Sequence, residues 1–393
     1  MSGSLRRLGL AVLCAGGVVA SAAAQGVPGV TKDTIKIGTF GPITGPSYLY
    51  GKLAMNGIEV VFDEVNAQGG IHGRKLVLLR EDDKCDPATG IAAVKKLIHQ
   101  DQVFMIEGGG CSNSAIAARD EIEKAKIPWL VLDAVADSIT APVAPNIYTS
   151  ALYASLESNA QLQFAMEKGA KKIGIVSMRD AWGRARYEPM LAAFKAKGLT
   201  IAADEEIGVD ANDATPQALK LKAAGVDAVL LVLYPKPAAV FARDAWKIGY
   251  KPVLVGQTAI GDPAAFEDQV AVPGATVNFT TISMVKFVPD DPAVAKWRKL
   301  IEAKFPGDRL STYNLFGVGS AKVVVEALKR AGPDLTQAKF LEALGALENF
   351  DAEVYGAPVT CKTPDHRCNK APAWLKKEPG APTTVLGVTK VAM

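Results

Sequence analysis

Thr34–Phe40 (TIKIGTF), Gly41–Gly51 (GPITGPSYLYG), Leu53–Asn66 (LAMNGIEVVFDEVN) and Lys75–Arg80 (KLVLLR) succeed one another along the chain and decide the fold. The first and last are short β-branched and apolar runs, the third spaces its apolar residues as a helix does, and the second is broken by Gly and Pro. Strand, loop, helix and strand make the unit of a parallel sheet with crossover helices, so the fold class is α/β. The alternation continues through strands Val103–Glu107 and Trp129–Leu132 and helices Pro87–Gln100 and Ser114–Lys124. A second series starts after Tyr153. Helices Ser155–Lys168, Arg184–Lys197, Thr215–Ala224 and Ala238–Ile248 alternate there with strands Lys172–Ser177, Thr200–Glu206, Ala228–Leu233 and Pro252–Val255. A further strand is expected near Ala275–Thr280. Helices Ala293–Phe305, Asn314–Arg330 and Gln337–Gly345 follow, then a tail rich in Pro, Gly and Lys. Two lobes are therefore expected. No low-complexity linker occurs at Tyr148–Tyr153 or near Thr276, so extended hinge strands join them.

The N-terminus carries Arg6 and Arg7, an apolar run Leu8–Ala20 and the small residues Ala22-Ala23-Ala24. This is the pattern of an export signal, with cleavage expected near Ala24 and residues 1–24 removed. Its apolar run of about 13 residues is too short for a membrane-spanning helix, and no later stretch approaches the ~20 residues required. The mature chain is expected outside the cytoplasmic membrane without stable membrane insertion. The 393 residues are 49% hydrophobic, enough for more than one core. Lys plus Arg number 44 against 41 for Asp plus Glu, so there is no basic field to draw nucleic acid. Loss of the signal removes Cys14 and leaves Cys85, Cys111, Cys361 and Cys368 in an oxidising compartment. Four cysteines permit three pairings. Cys361–Cys368 would clip a loop, and Cys85–Cys111 would tie a strand end to a Gly-rich turn. No C-x-x-C spacing is present and His366 is the sole imidazole near a cysteine, so no metal site is expected.

Ligands of open α/β sheets bind beyond the carboxyl ends of the strands, which directs attention to the strand-end loops. The first, Gly41–Gly51, offers Tyr48 and Tyr50, each an apolar ring with a hydroxyl. After Val103–Glu107 comes Gly108-Gly109-Gly110-Cys111-Ser112-Asn113-Ser114. Its glycines allow close backbone approach, and the helix start that follows offers free N–H groups to an anion, with Ser112 or Ser114 adding a hydroxyl. A serine that only caps its own helix is the competing reading. In the second series Trp182 follows Arg179-Asp180-Ala181, and Tyr234 follows Leu233, so each strand end carries an aromatic lid residue. The Arg179 guanidinium is a further candidate for a carboxylate. Neither phosphate-loop glycine pattern occurs. His72, His99 and His366 are the only histidines, and no G-x-S-x-G or H-E-x-x-H motif is present, so catalysis is not needed to explain any motif and no cofactor is implied.

Four segments carry a resemblance: Gly41–Gly51, Asn66–Gly73 (NAQGGIHG), Asp82–Pro87 (DDKCDP) and Gly110-Cys111-Ser112. In these the chain resembles the periplasmic leucine/isoleucine/valine-binding proteins, the type I solute-binding family of ABC uptake transporters, over nearly all of its mature length. The resemblance implies two Rossmann-like lobes joined by a three-strand hinge, expected at 27–153 plus 278–356 and at 154–277 plus 357–393. It implies a monomer that closes reversibly on a small carboxylate and presents it to permease subunits. It pairs Cys85 with Cys111, assigns the ligand carboxylate to Ser112 with Gly110 beside it, and puts the Tyr50 ring over the ligand. It places a backbone contact at Ala134 and lid aromatics at Trp182 and Tyr234, with a hinge-side aromatic at Tyr313. The threonine hydroxyl usual in the third loop falls near Val135 or Ala136 and is missing. The main departure is Gly256-Gln257-Thr258-Ala259, where amino-acid binders carry a glutamate for the ligand ammonium. An ammonium desolvated without a paired anion is costly, so an aromatic or otherwise hydrophobic carboxylic acid is the expected ligand, and leucine, isoleucine or valine the alternative. Asp180, Glu205 and Glu206 are the acidic residues that could restore the charge. A ligand-sensing receptor module and an exported enzyme are the readings from other classes.

Overall fold

The structure is a computed structural model that describes residues 26–45, 47–178, 180–389 and 391, with the Tyr50 side chain left undescribed. The expected export signal and its cleavage point lie outside the described residues, as does Arg179. Two sheets form the two lobes. The first takes β1 (Thr34–Gly41), α1 (Tyr48–Ala67), β2 (Lys75–Asp82), α2 (Pro87–Lys95), β3 (Met105–Gly108), α3 (Ser112–Ala125), β4 (Trp129–Val131) and β5 (Ile147–Thr149). Its strand order is β2-β1-β3-β4-β5, parallel throughout. The chain then enters the second lobe with α4 (Ala154–Glu167), β6 (Ile173–Met178), α5 (Ala181–Ala196), β7 (Ala203–Ile207), α6 (Thr215–Ala223), β8 (Ala228–Val232), α7 (Pro235–Lys247), β9 (Val253–Gly256), α8 (Pro263–Val270) and β10 (Phe279–Ser283). These strands stand in the order β7-β6-β8-β9-β10 with all pairs parallel, repeating the order of the first sheet.

The strands read as nearly continuous apolar runs because helices cover both faces of each sheet. β6 and β8 are buried along their whole length. α9 (Ala295–Lys304), α10 (Thr312–Ala331) and α11 (Gln337–Gly345) return to the first lobe, where the Phe340 ring of α11 meets Phe104 edge-on at 5.7 Å. α10 is buried almost all round and lies directly on α1. A Cβ at Gly317 would collide with the Ala54 carbonyl, and one at Gly57 with that of Asn314, so these two glycines set the spacing of the helix pair.

Two lobe boundaries move from their expected places. β10 lies beyond residue 278 yet pairs with β9 through Phe279–Leu254, Thr280–Val255 and Thr281–Gly256, so it belongs to the second sheet. The chain recrosses after Ser283, where the Lys286 amide donates to Val354 O at 2.9 Å. Residues after 356 also stay with the first lobe for longer than expected. The Cys361 amide donates to Leu347 O, and Cys368 and Thr149 bond through N–H to O at 2.9 Å. The third crossing therefore follows Cys368, and the tail rich in Pro, Gly and Lys forms β11 (Ala373–Lys377) and β12 (Thr383–Val388), two antiparallel strands added beside β10. Trp374 of β11 stacks on Phe164 at 4.2 Å, which fixes the added strands to α4. Disulfides join Cys85 to Cys111 and Cys361 to Cys368, with Cα separations of 5.3 and 4.2 Å.

Candidate functional site

Both sheets reverse their strand order once, between β1 and β3 in the first and between β6 and β8 in the second. At such a switch point the adjoining loops run in opposite directions and leave a crevice. The four loops concerned are those that follow Gly41, Gly108, Met178 and Val232 at the ends of β1, β3, β6 and β8. The fold thus brings to one cleft the segments singled out in the sequence.

In the first lobe Gly109 takes φ +88°, and its amide and that of Gly110 both donate to Phe40 O. Gly110 packs against Pro42 with no room to spare, so its contribution is close approach of the two loops. Cys111 is the N-cap of α3 and supplies no side-chain cap, leaving the first turn of that helix open to an anion. Ser112 is the first helical residue. Its Oγ accepts the Ala136 amide at 3.3 Å, which holds the hydroxyl beside the uncapped turn. Ser114, by contrast, is committed to structure: its hydroxyl donates to Asp83, a carboxyl that burial pushes up to about 6, and lies 3.1 Å from Cys111 O. The Ala134 amide is spent on Gly109 O, and Val135 O accepts the Ala154 amide at 2.7 Å, so these two residues fix the loop.

In the second lobe Trp182 and Tyr234 stack with centroids 4.2 Å apart, and both are almost fully buried. Asp180 caps α5 through Gly183 N at 2.8 Å, and its other oxygen accepts the Tyr234 hydroxyl at 2.9 Å and Asn113 Nδ2 at 3.0 Å. Asn113 stands on α3, so this triad bridges the lobes, and Tyr234 Oη also approaches Cys85 Sγ at 3.8 Å. A second bridge forms at the hinge side. Tyr313 Oη donates to Ala259 O at 3.0 Å, and Ser311 Oγ donates to Asp262 at 2.8 Å. The cleft is closed. A groove of 340 Å³ between the lobes runs past Leu49, Leu53, Tyr313, Asp262 and Ala264.

Thr258, the residue standing where a glutamate was expected, is buried, and its hydroxyl donates to Glu157 Oε1. Glu157 comes from the first turn of α4 and also accepts Arg186 Nε at 3.3 Å. Burial raises the Glu157 carboxyl, opposed by Arg186 and Thr258. The Arg186 guanidinium lies 4.0 Å over the Trp182 ring. Asp133, next to Ala134, is buried in reach of the same charges, and that burial pushes it well up, with Arg186 opposing and Glu157 adding. The acidic residues proposed from sequence do not occupy this position. Glu205 is on the edge strand β7 paired with Lys220, its neighbour Glu206 is exposed on the same strand, and Asp180 is engaged with the lid.

Glu157, Arg186, Asp133 and Asn113 were not foreseen. Arg186 follows Trp182 by four residues and therefore shares its helix face, the one signal the sequence carried. Glu157 reads as an ordinary acidic residue at a helix start, and nothing local distinguishes it.

Residues 34–376 match the family described as periplasmic binding protein. The chain belongs to that family. The periplasmic binding protein is 29% identical over 364 residues to Leu/Ile/Val-binding protein homolog 7 of Brucella abortus (strain 2308), covering 88% of this chain and 87% of the relative. Its fold matches a fatty acid ABC transporter substrate-binding protein from Thermomonospora curvata with a TM-score of 0.81, at 24% identity over 93% of this chain and 94% of the other. It also matches an ABC transporter solute-binding protein from R. palustris in complex with 4-hydroxybenzoate, with a TM-score of 0.79, at 19% identity over 91% and 98% of the two chains. This periplasmic binding protein is thus similar to the Leu/Ile/Val-binding proteins, and its family works in the periplasm.

Proposed function

We propose that the protein captures a small aromatic or hydrophobic carboxylic acid that lacks an ammonium group, and hands it to ABC permease subunits as a closed monomer. The observation that carries this is the Thr258–Glu157–Arg186 chain. The carboxylate nearest the expected ammonium position is already balanced by a guanidinium and hydrogen-bonded on both oxygens. An ammonium brought there gains no free anion to offset its desolvation. The uncapped turn of α3 and Ser112 suit a carboxylate, and the Trp182–Tyr234 pair supplies an aromatic wall for an apolar body. The ligand docks on the first lobe, and the lid then closes through Asp180, Tyr234 and Asn113, a binding step with no chemistry.

An amino acid is the second reading, and Asp133 favours it: an ionised carboxylate there would offer a partner for an ammonium. Isothermal titration separates the two. Benzoate- or phenylpropionate-type acids are expected to bind at least tenfold more tightly than leucine, roughly the worth of one charge-assisted hydrogen bond. Submicromolar leucine binding, abolished in Asp133→Asn, sinks the acid reading and installs Asp133 as the ammonium partner.

A further inference from the structure

The charge chain behind Thr258 is closed at one end and open at the other. Glu157 spends both oxygens on protein donors, whereas Arg186 spends Nε on Glu157 and has no partner for Nη1 among the described residues. Nη1 is buried, and the whole Arg186 side chain is only 4% exposed. A charged N–H removed from water and left without an acceptor is among the costlier features a fold can carry. The groups around the Arg186 guanidinium belong to the cleft: Trp182 beneath its plane, Glu157 and through it Thr258, and Asp133 of the opposite lobe within electrostatic range.

We infer that Arg186 is a specificity residue, whose Nη1 donates to a neutral oxygen, a hydroxyl or carbonyl, at the end of the ligand remote from its carboxylate. This rests on the acid reading above. The acceptor is remote because the carboxylate is assigned to α3 of the first lobe while Arg186 stands on α5 of the second. It is an oxygen acceptor because guanidinium N–H groups only donate, and the planar group is already oriented by Glu157 and by the indole. It is neutral because the Arg186 charge is balanced by Glu157. A second carboxylate on the ligand would add an anion beside Glu157 and Asp133 with no cation to meet it.

The test is titration calorimetry on matched acids with the whole mature protein. The probes are 3-phenylpropionate, 3-(4-hydroxyphenyl)propionate and 3-(4-carboxyphenyl)propionate, with benzoate and 4-hydroxybenzoate as a second scaffold. On the scaffold that fits, the hydroxylated acid is expected to bind roughly tenfold or more tightly than its parent, and the dicarboxylate more weakly than the hydroxylated acid. In the charge-neutral double variant Glu157→Gln/Arg186→Gln the ratio of hydroxylated-acid to parent-acid affinity should fall to about one, read as a ratio because both residues line the cleft and the parent's own affinity shifts with them. Arg186→Lys, which retains the charge opposite Glu157 but not the planar fork, reads the same ratio should the double variant fail to fold. The inference is overturned by a wild-type protein that binds parent and hydroxylated acids equally, by a preference that survives both variants, or by variants that weaken both acids alike, which is the signature of a structural role. If leucine binds and no acid does, the acid reading itself has failed and the inference falls with it. Acids bound without preference leave that reading standing and remove Arg186 alone.

Discussion

Ser112 illustrates how much a single hydroxyl is asked to do. Its oxygen accepts the buried Ala136 amide, and its hydrogen remains to be given to a ligand carboxylate at the open turn of α3. Ser112→Ala should therefore have two separable effects. Loss of the donor weakens the true ligand by about 1.5–3 kcal/mol, tenfold or more in Kd. Loss of the acceptor leaves the Ala136 N–H unpaired and lowers the stability of the ligand-free protein by about 1–3 kcal/mol. Titration calorimetry and a ligand-free denaturant melt measure the two independently. A destabilised variant with unchanged Kd would assign Ser112 to the loop alone. At this scale the sequence was informative where chemistry is local. Glycines at 108–110 running into a helix start, and aromatics at strand ends, mark a cleft without knowledge of the tertiary fold. It was silent where chemistry is assembled from afar. Thr258 was correctly seen to lack a charge, but the carboxylate that meets it comes from Glu157, 101 residues away in the chain, and no spacing rule connects α4 to the turn after β9.

Among the elements, the α1–α10 pair joins segments more than 200 residues apart, and their contact is made by glycines. Because the two backbones approach until a Cβ at Gly317 has nowhere to go, Gly317→Ala must push the helices apart. Overpacking of this kind costs about 1–3 kcal/mol. The N-terminal turn of α10 carries the Ser311 and Tyr313 contacts to the second lobe, so a displaced α10 also loosens the hinge-side bridge. Urea unfolding of Gly317→Ala should show a lower midpoint with an unchanged slope, and an unchanged midpoint would mean that the helix pair has slack. The periodicity of α10 was readable because apolar residues recur at helical spacing. The same reasoning failed on β11 and β12 for a physical reason. Edge strands are protected by charge and turn residues, and Lys376, Lys377, Glu378, Pro379 and Gly380 disguise a hairpin as a tail. β5, three residues long, is too short to impose a period of its own, and β10 was placed in the wrong lobe because only pairing with β9, not its composition, decides its sheet.

The whole molecule carries a pH dependence set by its buried carboxyls, Glu107, Asp83 and Asp133 in the first lobe and Glu157 in the second. Glu107, on β3, is completely inaccessible and neither of its oxygens has a hydrogen-bond partner among the described residues. Burial pushes it up to about 8, opposed only by the nearby Ser320 hydroxyl. In the unfolded chain the same group titrates near 4.5. A group whose pKa is raised on folding contributes its full stability below the unfolded value and loses it as pH rises through the folded value. Between pH 4.5 and 8 the unfolded chain releases a proton that the folded chain retains, so each pH unit costs about 1.4 kcal/mol. Asp83 has the same sign but is exhausted near pH 6, and the raised Asp133 and Glu157 act in the same direction. The lowered carboxyls, Glu59, Asp82 and Asp244 among them, act in the opposite direction, but only on the acid side, where the unfolded chain takes up their protons. Stability should therefore fall between pH 6 and 8, with Glu107 a main contributor. Glu107→Gln removes the ionisation while keeping the shape, so its stability should vary less with pH, by about 1.4 kcal/mol per unit in that window. The variant should gain on the wild type as pH rises from 6 to 8. Denaturant midpoints of both proteins at pH 5, 6, 7 and 8 measure this directly. Parallel curves for the two proteins from pH 6 to 8 would mean that the buried carboxyl is already ionised in the fold, with a counter-charge reaching it beneath α10.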